Sequence, residues 1–190
     1  MRTDPWPMEA GPLRLRYASA DDADRLLAFR NDPAVNRWTL ATSVERHALL
    51  RAIEAMPGSE TDFGCVAELA GEVVAMGFLD VVDGVGQPGR PRRTDAVIGY
   101  LVDPAFAGRG VATALARGLL AAAFGPLGLR RATAYCYAAN RASARVLEKA
   151  GMRLEQRGVQ DSWHAELGWL DGLGYGMLAE EWRARRPPAD

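Results

Sequence analysis

The chain is poor in lysine, histidine and cysteine, and it lacks any long apolar run. Of its 23 lysine and arginine residues, Lys149 is the single lysine. With many alanines and 20 glycines, that reads as a coding bias rather than a function. The formal net charge is −1, so the basic excess of a nucleic-acid binder is absent. Two cysteines, Cys65 and Cys136, make neither a disulfide framework nor a metal cluster, and no metal is expected. Both are expected as reduced thiols in a cytoplasmic protein. No stretch reaches the ~20 apolar residues of a membrane span. Asp4, Pro5, Pro7 and Glu9 interrupt any early apolar run, so no secretory signal is expected.

What is present fits one domain. A chain of 190 residues can bury a single core. Residues 1–12 read as a flexible lead-in, 13–182 as the domain, and 183–190 as a charged, disordered tail. Leu13, Leu15 and Tyr17 alternate with arginines, which predicts a half-buried strand. Ser19, Asp21 and Asp22 start a helix that Asn31-Asp32-Pro33 ends. Thr42 and Glu45 resemble a capping box before a second helix carrying Leu49, Ala52, Ile53 and Met56. Phe63–Leu69 and Glu72–Val82 read as strands joined at Ala70-Gly71. The Gly-, Pro- and Arg-rich stretch 83–94 reads as a loop.

The organising stretch is 96–124. Val97–Val102 is a buried strand that Pro104 stops. Gly108 and Gly110 permit a tight turn, and Val111–Phe124 has helical composition. A strand, a glycine turn and a helix N-terminus together make an anion site, because free N–H groups and the positive dipole end converge there. Arg131–Tyr137 alternates as a strand. Asn140 can cap the next helix, whose buried face carries Ser143, Val146, Leu147 and Ala150, with Gly151 as its stop. Met152–Val159 reads as a strand, 160–170 shows no clear period, and a last strand centres on Tyr175–Leu178. The order implies a mixed α/β sheet covered by helices.

Two motifs carry a resemblance. One is Gly99-Tyr100 through Pro104 and Phe106 to Gly108-Arg109-Gly110-Val111-Ala112-Thr113; the other runs Asn140, Ser143, Arg145, Leu147, Lys149, Gly151-Met152. At this mutual spacing they resemble the Gcn5-related N-acetyltransferase (GNAT) family, and more particularly its RimJ/RimL-like ribosomal-protein branch. Leu13 and Arg16, Asn31-Asp32-Pro33 with Arg37-Trp38, and Asp171, Tyr175 and Glu181-Trp182 extend the likeness over about residues 13–182. The resemblance implies an α/β (α+β) domain: a mixed, mostly antiparallel, splayed sheet of six or seven strands with about four helices. It implies acetyl-CoA as co-substrate. The pyrophosphate would lie on Gly108, Arg109, Gly110, Val111, Ala112 and Thr113, and the pantetheine and thioester against Leu101 and Val102. Asn140 matches a pantetheine-contact position, or is only a helix cap. The activity implied is acyl transfer to a primary amine, a protein N-terminus or a small molecule, by direct attack. A homodimer through the last strand, Trp169 and Trp182 is a further expectation.

The pattern breaks twice. Ala107 stands where the family often has Gln, Arg or Trp. Val97 stands where relatives often carry a Glu used as base. Asp95, on the same strand face by parity, is the first substitute; Glu68, Asp80 and His164 are others. Each is also readable as a solvated or structural polar group. For the acid, Ser143, Cys136, Tyr135 and Tyr137 lie near the expected sulfur. The missing Glu also admits a second reading: a CoA-binding sensor or interaction protein without transferase activity.

Overall fold

The computed structural model describes residues 4–185. Among them, eight strands form one sheet in the order β1-β2-β3-β4-β5-β6-β8-β7. The first strands are β1 (Met8–Ala10) and β2 (Leu13–Arg16). Helices α1 (Ala23–Arg30), α2 (Pro33–Asn36) and α3 (Arg46–Ala55) follow. Then come β3 (Cys65–Leu69), β4 (Glu72–Val82) and β5 (Asp95–Val102). Helix α4 (Val111–Phe124), β6 (Arg131–Tyr137) and α5 (Arg141–Ala150) complete the centre. The chain closes with β7 (Arg153–His164), β8 (Gly168–Leu178) and α6 (Ala179–Ala184).

Several expectations need correction. The sheet has eight strands rather than six or seven, and the described residues hold six helices rather than about four. The lead-in is not loose where it is described: β1 pairs with β2 as an antiparallel hairpin, and Trp6 is buried with its indole N–H donating to the Phe63 carbonyl at 3.1 Å. Thr42 does not begin α3. Glu45 is the N-cap residue and makes no side-chain cap bond, while the Thr42 carbonyl accepts from Asn36 Nδ2 at 2.8 Å. The unassigned stretch 160–170 finishes β7 and starts β8. Of the expected tail, residues 183 and 184 finish α6, residue 185 follows as a turn, and the rest lies outside the described residues. Trp182 is half-buried against Phe124, so of the two tryptophans suggested for a dimer Trp169 is the exposed one.

The sheet has two covered faces. On one, α4 and α5 pack on Leu79, Val81, Ala96, Ile98, Ala132 and Ala134. Leu115, Leu119 and Leu120 of α4 are fully buried there. Gly118 lets α4 approach closely: a Cβ would lie 2.9 Å from that of Ala10. On the other face, α1 and α3 cover Val66, Val73, Met76, Phe78 and Leu101 with Leu26, Phe29, Leu49 and Ile53. Alternate residues of each strand serve alternate faces.

The sheet opens between β5 and β6, its one parallel pair. They are paired only over Asp95–Val97 and Arg131–Thr133. Beyond that point β5 continues with β4 alone to Val102, and β6 continues with β8 alone to Tyr137. A V-shaped gap results, with strand backbone along both sides.

Candidate active site

The cradle at the open end of β5 is built from local chemistry. Asp103 ends the strand and accepts from the Ala105 N–H at 2.8 Å. It also pairs with Arg25 of α1, which ties the turn to the opposite layer. Burial opposes ionisation of Asp103, but the Ala105 N–H and the Arg25 guanidinium outweigh it and hold the carboxyl below its usual range. Gly110 is the N-cap of α4 with φ 82°, a conformation that an L side chain adopts only under strain. A Cβ there would meet nothing within 4 Å. The turn is therefore open above the helix end. The first helical donor is Ala114, whose N–H reaches the Gly110 carbonyl at 3.0 Å. The N–H groups of Val111, Ala112 and Thr113 consequently have no partner within the helix. The Arg109 guanidinium lies 5.4 Å from the Phe106 ring centroid, at the rim. Such a concave set of donors at a positive helix end fits a pyrophosphate.

On the α4 face of the gap, Tyr100, Cys136 and Ser143 meet. The Tyr100 hydroxyl lies 3.0 Å from Ser143 Oγ. Burial pushes the Tyr100 hydroxyl up, with the Ser143 hydrogen bond pulling the other way. Burial likewise raises the Cys136 thiol, partly offset by its hydrogen bond with Ser143. All three groups therefore hold their protons at neutral pH. Asn140 caps α5: its Oδ1 accepts from the Ser143 N–H at 3.1 Å.

The four base candidates are placed elsewhere or engaged. Asp95 is buried at the closed end of the gap, ion-paired with Arg130 at 3.0 Å and accepting from Thr94. It lies six residues along β5 from Leu101, roughly 20 Å at strand rise. Glu68 pairs with Arg16 at 2.7 Å. His164 is buried, with Nε2 2.7 Å from the Arg37 carbonyl and Nδ1 accepting from the Glu166 and Leu167 N–H groups. Both ring nitrogens are used in holding the β7–β8 turn. Asp80 stands opposite Val97 across β4 and β5, so the two share the α1/α3 face. Burial and the neighbouring Asp62 raise its carboxyl.

The α1/α3 face of β6 and β8 carries a pocket of about 470 Å³. Its walls are Trp38, Tyr135, Tyr137 and Trp163, and its edge reaches Cys136 beside the gap. Asp161 is the one ionisable carboxylate in its lining. Trp38, Tyr137 and His164 form an aromatic cluster with centroids 5.1–5.9 Å apart. Gly172 and Gly174 line it from β8, opposite Tyr137 and Tyr135, with Gly176 next on the same face opposite Thr133. Sequence reasoning missed Asp161 and these glycines. The period-two glycines at 172, 174 and 176 were the available signal, since they place three residues without side chains on one face.

The GNAT acetyltransferase domain model matches residues 12–153. The chain belongs to the GNAT acetyltransferase family. No curated protein sequence matches it. Among solved structures it is similar to Mycobacterium smegmatis RimJ in complex with CoA-disulfide, at 24% identity and TM-score 0.77, covering 93% of this chain and 90% of that one. It is also similar to a GNAT-family acetyltransferase from Bacillus anthracis, at 23% identity and TM-score 0.75, covering 92% and 99%. Spermidine N-acetyltransferase from Vibrio cholerae, with CoA and spermine, matches at 16% identity and TM-score 0.78, covering 90% and 98%.

Proposed function

We propose that this GNAT protein moves an acetyl group from acetyl-CoA to a primary amine by direct attack. The observation that carries the reading is the turn at Gly108–Thr113, open and donor-rich, standing at the mouth of the gap between β5 and β6. In this reading the pyrophosphate rests on the N–H groups of residues 108–113. The pantetheine arm follows the β5 backbone at Leu101 and Val102, where no strand partner competes. Bound acetyl-CoA supplies the activated acyl thioester. The amine nitrogen forms the new C–N bond and gives up a proton to solvent, the C–S bond breaks, and the sulfur leaves with the bonding pair. Cys136, Ser143 and Tyr100, all protonated and hydrogen-bonded together, are the proton source for that sulfur. Asp95, held by Arg130, is left with a structural role. Asp80 is the carboxyl that shares a face with Val97. The exposed β7 edge, with Leu154 and Val159 bare, supports a homodimer formed along that strand.

Calorimetry with acetyl-CoA, followed by thiol release on an amine panel, tests the reading. Binding and turnover on at least one amine are expected. Binding without turnover on any amine, peptide N-termini included, would favour the CoA-sensor reading that Val97 admits. Absence of acetyl-CoA binding would sink both.

A further inference from the structure

The pocket beside the gap contains a carboxylate that the reaction above does not use. Asp161 lies in an irregularity of β7: the register with β8 shifts between Gly158 and Ser162. Gln160 takes φ 48° there. The extra residues are fixed by Asp171, which accepts from the Gln160 N–H at 3.1 Å and pairs with Arg157 at 3.2 Å. A bulge of this kind re-aims the side chains it carries. Here it turns Asp161 back over the sheet. The carboxylate rests on two glycines: a Cβ at Gly172 would lie 2.6 Å from Asp161 Oδ1, and one at Gly158 would overlap the group outright. Among the described residues its side-chain partner is the Ser162 hydroxyl, which donates at 2.9 Å. Among the described residues no cation pairs with this exposed carboxylate, which lines a pocket shared with Trp38, Tyr137 and Trp163; the Arg37 guanidinium already lies 5.4 Å from the Trp38 ring centroid.

Aromatic faces around one carboxylate receive a cation: the rings attract it through their quadrupoles, and the carboxylate pairs with it. That cation cannot be the reacting nitrogen, which must be neutral to attack. It also lies too far away. Asp161 sits over β7 and β8, and β6 still separates it from the gap, roughly 10 Å at normal strand spacing.

We infer that Asp161 and the aromatic wall bind a second, non-reacting ammonium group of the acceptor, so that the preferred substrate is a small diamine with a short apolar spacer. This rests on the acyltransferase reading. One carboxylate provides for one extra charge. The pocket of about 470 Å³ is the space for a slim aliphatic chain to run from Asp161 across Tyr135 toward the gap beside Cys136.

The test compares α,ω-diaminoalkanes of graded length with the monoamines of equal chain length, by thiol release with acetyl-CoA. The wild-type protein should favour a diamine in kcat/KM by at least about tenfold, the effect residing in KM. Asp161→Asn should bring that ratio close to one with acetyl-CoA affinity unchanged by calorimetry. Gly172→Ala, which displaces the carboxylate, should lower the ratio part-way. A second readout needs no chemistry: the diamine should quench the pocket tryptophans in the wild-type protein and not in Asp161→Asn. Equal turnover of diamines and monoamines, better turnover of peptide N-termini, or a preference that survives Asp161→Asn would overturn the inference. Loss of acetyl-CoA binding by the wild-type protein would instead overturn the parent reading.

Discussion

The turn on one side of the gap and the proposed acceptor pocket on the other are built by opposite means. The cradle comes from one continuous segment, Asp103–Thr113, and works through backbone N–H groups and a helix end. The pocket comes from four separated segments and works through side chains: Trp38 after α2, Tyr135 and Tyr137 on β6, Asp161 and Trp163 on β7, and the glycines of β8. A cradle of backbone tolerates Ala107 in place of a larger residue, because its donors are unchanged. A pocket of side chains has no such tolerance; its chemistry changes with each residue. On the proposed reading, a thioester side made of backbone is less sensitive to sequence than an acceptor side made of side chains.

Experiments can break or sharpen this contrast. The largest effect is expected at Gly110. Gly110→Trp forces a bulky residue into φ 82° and over the open donors. Acetyl-CoA affinity should fall by about a hundredfold, or ~2.7 kcal/mol, while amine binding to the pocket tryptophans persists. Unchanged affinity would refute the backbone cradle. Next is Asp103→Ala, which leaves the Ala105 N–H without its acceptor and Arg25 paired with Glu72 alone. A loss of about 1–3 kcal/mol in denaturant stability is expected. Because Asp103 has a depressed value when folded, its contribution is present above the ordinary carboxylate range and disappears as pH falls through the folded value. The gap in stability between wild type and variant should thus narrow only in acid; a gap that widened there would contradict the assignment.

Asn140→Ala should lower stability by about 1 kcal/mol through loss of the α5 cap, and Asn140→Asp should restore most of it. If melting were unaffected and acetyl-CoA affinity fell, Asn140 would be a ligand rather than a cap. The smallest effect is expected for Ser143→Ala, which removes the link between Tyr100 and Cys136. A severalfold drop in kcat is expected, with acetyl-CoA KM nearly constant. An unchanged kcat would remove the hydroxyl from the proton path.

The same contrast explains what could be read from the sequence. The strand, the glycine turn and α4 are contiguous, so their period, their stop at Pro104 and their positive-φ glycines announce them locally. Asn140, Ser143 and Gly151 are legible for the same reason. The pocket is assembled by register. Nothing within Gly158–His164 reveals that it pairs across a bulge, or that Gly172 will lie beneath Asp161. Strand parity offers Asp95 as one substitute for the missing Glu because it shares a strand face with Val97. What parity lacks is distance along the strand and the identity of neighbours, and Arg130 arrives from a separate loop. β1 was hidden because three residues are too few to establish an alternation.

The parting of β5 from β6 has a consequence for the protein without its co-substrate. Each strand there is an edge, yet neither edge faces outward along the rim of the sheet. Their unpaired peptide groups face each other across the gap inside the sheet rather than the open rim. The hazard of an exposed sheet edge is met by position rather than by charge or proline. Amide hydrogen exchange at Ile98–Val102 is accordingly a direct gauge of occupancy: amides that point into the gap exchange quickly in the free protein and slowly once a slender ligand lies between the strands.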